Sequence, residues 1–110
     1  MGGASYDLDF VTSSLTWGEG LYTEFGYDKS APTNSVDWWT DHIHPNDAMI
    51  LNYAMDKLLD PYAQNWLVEY RFRKADNSYV VVEDQATIHR DSVGKAIRLT
   101  GTLTPLATYS

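Results

Sequence analysis

A cluster of possible metal ligands is the first chemistry that the sequence offers. His42, His44 and Asp47 form a His-x-His-x-x-Asp pattern, and imidazole nitrogen and carboxylate oxygen are common ligands of metal ions in proteins. Side chains at i and i+2 diverge on a helix or a turn, and Pro45 separates the second histidine from the aspartate. We therefore expect these residues to form the start of a helix and not a metal site.

Asp84 is the residue best placed to act as a general base. It lies within a valine-rich run at 79–88, and small cone-shaped α+β isomerases and dehydratases use a buried aspartate in this way. Because Glu83 and Gln85 flank it, we expect Asp84 on an exposed face instead. The other aspartates fall in predicted loops, on exposed faces or at helix ends, so we expect no enzyme. A small acid–base enzyme of the cone-shaped type stays open as the less favoured alternative.

The composition is that of one acidic domain without cysteine. A chain of 110 residues with 44% hydrophobic residues can bury one core. The absence of cysteine excludes disulfides, thiolate metal sites and cysteine nucleophiles. Residues 1–60 hold ten acidic and two basic residues, and the whole chain has a net charge of −7. This balance argues against nucleic acid as a partner, because phosphate binding requires clustered Lys and Arg.

No segment predicts insertion into a membrane. A spanning helix needs roughly 18 consecutive apolar residues, and no run in the sequence approaches that length. Residues 1–4 lack the basic and apolar regions of a secretory signal, and we expect them to be a flexible tail or a remnant of expression. The expected location is the cytoplasm, either alone or as part of a membrane-anchored receptor.

The first half of the chain predicts two strands followed by helices. Apolar and polar residues alternate over 6–10, which indicates a half-buried strand, and 13–17 offers a second strand close enough for a hairpin. Apolar residues over 21–25 recur at helical spacing, and Gly26 is a plausible end for that helix. Ser35 is expected to cap a further short helix.

The longest helix is predicted from Pro45 to Asp60. Proline suits the first position of a helix, because the N–H that it lacks would be unpaired there, and the Asp60–Pro61 step favours an end. Four apolar residues fall at i, i+3, i+4 and i+7 and form one stripe that faces a core, namely Leu51, Ala54, Met55 and Leu58.

The second half predicts three antiparallel strands. Val68, Tyr70 and Phe72 alternate with charged residues, which gives one buried and one exposed face. A turn at 76–77 is expected because Asn tolerates positive φ, and a long β-branched strand follows it. A turn at Gly94 then leads into the last strand. Together these elements predict an α+β domain.

Four fragments, in this order and spacing, resemble a PAS domain of the type found in bacterial sensor proteins, the PAS fold-3 sensory box. They are Phe25-Gly26-Tyr27, the Trp39–Asp47 segment with Ile43-His44-Pro45-Asn46-Asp47, the strand Glu69-Tyr70-Arg71-Phe72-Arg73, and Arg90-Asp91 followed by Gly94-Lys95. The resemblance covers residues 5 to about 104. It implies a five-stranded antiparallel sheet, with short helices and one longer helix packed on one face.

The resemblance also implies a role in signalling. A PAS domain over 5–104 would be a non-catalytic sensory or interaction module of a bacterial histidine kinase or cyclic-dinucleotide enzyme. It would form a homodimer and act on an effector domain in the same chain. Residues 105–110 would begin the linker to that effector, although Pro105-Leu106-Ala107 stands where many PAS domains have Asp-Ile-Thr. The alternative is a dimerisation adaptor that binds no ligand.

A metabolite pocket would lie between the long helix and the sheet. By pattern it would be lined by Leu51, Met55, Tyr70, Phe72 and Leu99. The competing interpretation is a core filled by the same side chains. Tyr70 distinguishes the two interpretations, because a buried phenol needs a hydrogen-bond partner and a ligand can supply one. Trp17, Trp38 and Trp66 are expected in packing or at a dimer surface.

No cofactor is expected. The resemblance implies that haem would be held by a histidine on the long helix, and residues 47–60 contain none. His89 stands near a strand end, where we expect it to be exposed. Flavin photochemistry of the light-oxygen-voltage type needs a reactive cysteine, which the chain lacks.

Overall fold

The computed structural model describes residues 3–106 as a five-stranded antiparallel sheet with helices between its second and third strands. The strands are β1 (Ala4–Asp9), β2 (Ser14–Trp17), β3 (Asn65–Arg73), β4 (Tyr79–Arg90) and β5 (Ala96–Pro105). The helices are α1 (Gly20–Thr23), α2 (Val36–Asp41), a 3₁₀ turn (Pro45–Asp47) and α3 (Ile50–Leu59). The spatial order of the strands is β2-β1-β5-β4-β3. The predicted fold class is confirmed.

One face of the sheet, called the inner face below, carries the core. Every strand places alternate side chains there, and residues from α1 and from the segment after α2 join the same cluster. The buried hydrophobic residues are Ala4, Leu8, Leu15, Trp17, Leu21, Phe25, Ile43, Trp66, Tyr70, Phe72, Val82, Ala86, Ile88, Leu99 and Leu103. No residue of α3 is fully buried, so this helix covers the edge of the core and does not fill it.

The first and last strands are neighbours in the middle of the sheet. Ala4 of β1 pairs with Leu103 of β5, and Ala4 is completely buried. The sheet therefore extends from Ala4 to Pro105, and the domain bounds 5–104 stay a prediction. Residues 1–2 and 107–110, parts of the expected tail and linker, lie outside the described residues.

The turns follow the predicted residues. Asn77 has a φ of 71° between β3 and β4, and Gly94 has a φ of 88° between β4 and β5. Gly26, predicted to end the first helix, has a φ of 82°. Ser35 accepts a hydrogen bond from the Trp38 backbone N–H at 3.1 Å, which confirms the predicted cap of α2.

The predicted long helix begins later than expected. Pro45 opens only a 3₁₀ turn, and α3 starts at Ile50. The carboxylate of Asp47 is directed away from the helix axis to β3, where it accepts hydrogen bonds from the guanidinium and from the backbone N–H of Arg71 at 2.8–2.9 Å. This bidentate pair fixes the turn to the sheet before the chain becomes α-helical.

Arg90 ties the other end of α3 to the sheet. Its guanidinium donates to the carbonyl oxygens of Lys57, Leu58, Asp60, Ala63 and Gly94, at 2.7–3.2 Å. The last carbonyls of a helix have no partner within the helix, and a cation is favoured there. Arg90 therefore ends α3 and joins it to the β4–β5 turn.

Candidate functional site

Asp84 lies on the inner face and not on the exposed face that we expected. Its side chain is 1% exposed. The register pairs it with Val68 of β3 and Leu103 of β5, and it has the same parity as the buried Val82 and Ala86. The charged and polar neighbours of Asp84 in sequence occupy the opposite face, so they were a poor guide to its own position.

Two phenol groups hold the Asp84 carboxylate. The Tyr6 hydroxyl donates to Oδ1 and the Tyr70 hydroxyl donates to Oδ2, each at 2.8 Å. The Trp39 indole Nε1 donates in turn to the Tyr70 hydroxyl at 3.0 Å. Because an indole N–H can only donate, the hydroxyl hydrogen of Tyr70 is free for Asp84. The chain of hydrogen bonds runs from α2 through β3 to β4, and β1 joins it from the other side.

The Tyr6 hydroxyl reaches Asp84 because β5, the strand between them, has a glycine at position 101. Tyr6 pairs with Gly101, and Gly101 pairs with Ala86. A Cβ atom at Gly101 would lie 2.7 Å from the Tyr6 hydroxyl oxygen and 2.4 Å from the carbonyl oxygen of Gln85. Glycine at this position therefore leaves the space in which the phenol crosses β5.

Burial dominates the electrostatics of this group. It raises the pKa of Asp84, while hydrogen bonds from Tyr6 and Tyr70 oppose the rise and the nearby Trp66 indole adds a smaller opposing effect. Burial and the adjacent carboxylate raise the pKa of Tyr6 and of Tyr70 as well. Among residues 3–106, no Lys, Arg or His forms an ion pair with Asp84. We call Tyr6, Trp39, Tyr70 and Asp84 the Asp84 network.

A small cavity lies beside the Asp84 network. It has a volume of about 20 Å³, which is room for about one water molecule. Its lining comes from β1, β2, β3, β5 and α2, namely Tyr6, Leu8, Leu15, Trp17, Val36, Trp39, Trp66 and Leu99. Trp66 is buried, and its Nε1 makes no well-formed hydrogen bond among residues 3–106, although the indole is close enough to Asp84 to lower the pKa of that carboxyl.

The five predicted pocket residues do not line one cavity. Tyr70, Phe72 and Leu99 are buried on the inner face, and only Leu99 lines the small cavity. Leu51 packs at the margin of the core. Met55 is 55% exposed and lines a separate open groove at the end of α3. A ligand contact by any of the five stays a prediction.

The sequence named Tyr70 as the decisive residue, and its hydroxyl is bonded to Asp84 and Trp39. It did not mark Tyr6, Trp39 or Asp84 as parts of one site. Trp66, expected in packing, is indeed buried, but its proximity to Asp84 could not be predicted from the sequence.

The three residues of the His-x-His-x-x-Asp pattern point in different directions. His42 stacks on the Trp38 ring, with 4.0 Å between centroids, and its Nδ1 lies 2.6 Å from the Trp38 carbonyl oxygen. Burial lowers the pKa of His42. His44 accepts from the Asn46 backbone N–H at 3.0 Å, and Asp47 is bound to Arg71. Residues 3–106 contain no cluster of three or more potential metal ligands.

His89 is exposed, as expected, and its Nε2 lies 2.9 Å from the Thr100 hydroxyl. No helix among the described residues is long and apolar enough to cross a membrane.

The strand order, the antiparallel pairing and the helices over the inner face define a PAS-like α+β domain. The profile of the family described as the PAS fold matches residues 14–103. The chain therefore belongs to the PAS fold family.

Solved structures have the same fold at low sequence identity. The N-terminal domain of a diguanylate cyclase with PAS/PAC sensor from Marinobacter aquaeolei is 20% identical, with 94% of each chain covered and a TM-score of 0.81. A sensory box histidine kinase/response regulator from Burkholderia thailandensis is also 20% identical, with 94% of this chain and 76% of that chain covered and a TM-score of 0.77.

An RNA-binding light-oxygen-voltage receptor is 14% identical to this chain and has a TM-score of 0.76. The match covers all of this chain and 32% of the receptor. A comparison with curated protein sequences finds no match.

Proposed function

We propose that this domain is a non-catalytic sensory module of a bacterial signalling protein, which couples a ligand or a dimer state to an effector domain in the same chain. The similar domains from a diguanylate cyclase and a sensory box histidine kinase support an effector of one of these two kinds. A cytoplasmic location, alone or in a membrane-anchored receptor, is part of the proposal.

The observation that carries the proposal is the link between the small cavity and the two ends of the sheet. Trp39 lines the cavity and bonds to the Asp84 network. Tyr6 lies two residues after Ala4, and Asp84 pairs with Leu103 in the strand that ends at Pro105. A change at Trp39 can therefore pass through two hydrogen bonds to Asp84, beside the strand from which the expected linker at 105–110 would leave.

The use of Asp84 within the fold supports a role other than catalysis. A general base must lie within hydrogen-bond reach of the proton that it removes, and Asp84 is only 1% exposed. Here Oδ1 and Oδ2 each accept a hydrogen bond from a phenol. The carboxylate thus holds β1, β3 and β4 together.

The small volume of the cavity favours a second candidate, a dimerisation adaptor that binds no ligand. A cavity of about 20 Å³ is close to a filled core. Leu67, Tyr79 and Val81 are exposed hydrophobic residues of β3 and β4, and they are the proposed contacts between two copies.

The experiment that tests the proposal measures melting temperature across a metabolite panel and sedimentation across protein concentrations. A sensor is expected to show a ligand-dependent rise in melting temperature, whereas an adaptor is expected to dimerise without one. Leu67→Glu should weaken dimerisation, and Tyr62→Glu, at an exposed position outside the sheet, is the control. A monomer whose melting temperature responds to no compound would contradict both candidates.

A further inference from the structure

Strand β3 forms one edge of the sheet, and part of its backbone is unpaired. It is the last strand in the order β2-β1-β5-β4-β3, so only one of its sides pairs with a neighbouring strand. The residues whose backbone groups point away from β4 alternate along β3. Arg71 and Arg73 are two of them, since their backbones bond to the segment before the 3₁₀ turn. By the same alternation, Asn65, Leu67 and Glu69 point outward as well.

The protein itself adds a short extended segment to one end of this edge. The His44 backbone N–H donates to the Arg71 carbonyl oxygen at 2.9 Å, and the Arg73 N–H donates to the His42 carbonyl oxygen at 2.8 Å. An antiparallel bridge joins the two segments between these bonds. Strand addition is thus already used at this edge, and residues 65–69 are left without it.

The backbone groups of Asn65, Leu67 and Glu69, called the free edge below, are open to a partner. Within residues 3–106, none of their N–H or C=O groups has a hydrogen-bond partner. All three residues are exposed, and Leu67 is 59% exposed. Unpaired backbone groups are rare in a protein interior, so these groups face solvent. An extended peptide beside β3 can satisfy them as one more strand of the sheet.

The opposite edge of the sheet is covered. Strand β2 has only four residues, and the Leu15 backbone N–H donates to the Asn34 carbonyl oxygen at 3.2 Å. The Trp17 indole donates to the Thr33 carbonyl oxygen at 2.8 Å, which fixes the same loop against β2. An added strand therefore fits at β3 and not at β2.

The charge beside the free edge indicates the chemistry of the partner. Glu69 lies directly opposite Glu83 of β4, on the face of the sheet that points away from the core. Like charges in such a pair repel, and neither carboxylate forms an ion pair in the part of the chain that the structure describes. A Lys or Arg side chain opposite Glu69 on an added strand would offset this repulsion. An apolar side chain two residues further along that strand would pack beside Leu67.

We propose that the free edge binds an extended basic segment of a partner protein. This segment adds to β3 as an antiparallel sixth strand, with a Lys or Arg opposite Glu69 and an apolar residue opposite Leu67. A second copy of β3 matches the charge less well. If Leu67 faced Leu67 of a second copy, Asn65 would stand opposite Glu69, and the carboxylate pair would gain no cation. This surface goes beyond the proposed sensory function, which does not depend on it.

The proposal is tested with two synthetic peptides that differ at one residue. Acetyl-Thr-Lys-Thr-Val-Thr-Asn-amide places its lysine opposite Glu69 and its valine opposite Leu67, and the second peptide has glutamate in place of the lysine. The lysine peptide should move the ¹H–¹⁵N amide peaks of Leu67 and Glu69 saturably, because their N–H groups become hydrogen-bond donors. The glutamate peptide should bind about ten-fold more weakly, and added salt should reduce this difference.

Methylation of the peptide backbone distinguishes strand addition from contacts between side chains alone. The N–H groups of an antiparallel strand point alternately toward and away from its neighbour. Methylation of the valine nitrogen, opposite Leu67, should abolish the response. Methylation of the following threonine nitrogen, which faces away from β3, should preserve it. Equal losses from the two methylated peptides, or equal binding of the lysine and glutamate peptides, would overturn the proposal.

Two substitutions at one position separate the backbone of the free edge from its side chain. Leu67→Pro removes the central N–H, and proline is tolerated on an edge strand because that N–H does not pair with β4. Binding of the lysine peptide should be lost in Leu67→Pro and retained in Leu67→Ala, which keeps the N–H. Glu69→Gln should remove the preference for lysine, whereas Glu24→Gln, at an exposed position outside the sheet, should not. A response that survives Leu67→Pro would contradict the proposal.

Sedimentation of the protein without peptide tests a second copy as the occupant. A dimer that Leu67→Pro dissociates and Leu67→Ala preserves would assign the free edge to a second copy and overturn the proposal. A monomer leaves the free edge to the peptide, as proposed. A dimer that both variants weaken uses the exposed leucine side chain and also leaves the free edge to the peptide. The metabolite panel that tests the sensory function is independent of all these outcomes.

Discussion

The Tyr6 hydroxyl donates to Oδ1 of Asp84 at 2.8 Å across an intervening strand. Tyr6 belongs to β1 and Asp84 to β4, and β5 lies between them. The contact exists because Gly101 leaves space for the phenol. One hydrogen bond therefore links β1 to β4 across β5, and β1 and β5 carry the ends of the described chain.

Tyr6→Phe should lower the free energy of unfolding by about 1.5–3 kcal/mol, because it removes a hydrogen bond to a buried carboxylate and keeps the ring. Urea denaturation at pH 7 measures the loss. Tyr62→Phe is the matched control, since Tyr62 is 90% exposed and its removal should change little. Equal stability of the two variants would show that the contact to Asp84 contributes nothing.

Asp84 should make the domain less stable as the pH rises. Its folded-state pKa is raised by burial, so the folded protein keeps this proton at a pH where the unfolded chain has lost it. The resulting stabilisation is fully present below the unfolded pKa of about 3.9 and is lost as the pH rises through the folded pKa. Asp84→Asn removes this dependence. The free energy of unfolding is measured for both proteins from pH 4 to pH 8. That of the variant should rise relative to that of the natural protein as the pH increases. A constant difference between the two would refute the prediction.

The contribution of Asp47 to stability should have the opposite pH dependence. The hydrogen bonds from the Arg71 guanidinium lower the pKa of Asp47 to about 2, so its stabilisation is present above about pH 4 and is lost as the pH falls toward 2. Asp47→Asn should cost about 1–2 kcal/mol at pH 7, allowing for the partial exposure of the pair. The difference in free energy of unfolding between Asp47→Asn and the natural protein should decrease from pH 4 to pH 2.5. Asp56→Asn, at an exposed position on α3, is the control, and a gap that stays constant with pH would contradict the role of the Asp47 carboxylate.

Arg90→Lys should loosen the end of α3. A lysine ammonium cannot reproduce the planar fork that reaches five carbonyl oxygens, so a loss of about 2 kcal/mol is expected. Amide hydrogen exchange should become faster at Asp60 and Ala63, whose backbone N–H groups donate to carbonyls in this segment. Arg73→Lys is the control, because the carbonyl oxygens at the end of α3 accept from the Arg90 guanidinium and not from Arg73. Unchanged exchange at Asp60 in Arg90→Lys would show that another contact ends α3.

Local sequence was sufficient for the order and type of the elements. Strand alternation over 68–73, the cap at Ser35 and the turns at Asn77 and Gly94 each depend on residues a few positions apart. Together with the order of the four motifs, these features determined a PAS-like α+β domain. The start of the long helix was placed too early, because Asp47 is held by Arg71, which lies 24 residues away along the chain.

The tertiary structure alone decided what Asp84 bonds to and where the cavity lies, whereas its face follows from the alternation of Val82, Ala86 and Ile88 with polar residues. Side chains alternate between the two faces of a strand, so a shift of one residue in register reverses the environment of each residue. The polar neighbours of Asp84 occupy the outer face, so Asp84 itself faces inward, and the pairing of β4 with β5 and of β5 with β1 brings it within reach of Tyr6. The cavity lies beneath α2, whose Val36 and Trp39 line it together with residues of β1, β2, β3 and β5, and no residue of α3 takes part. Such contacts depend on how distant segments pack, which no local pattern in the sequence encodes.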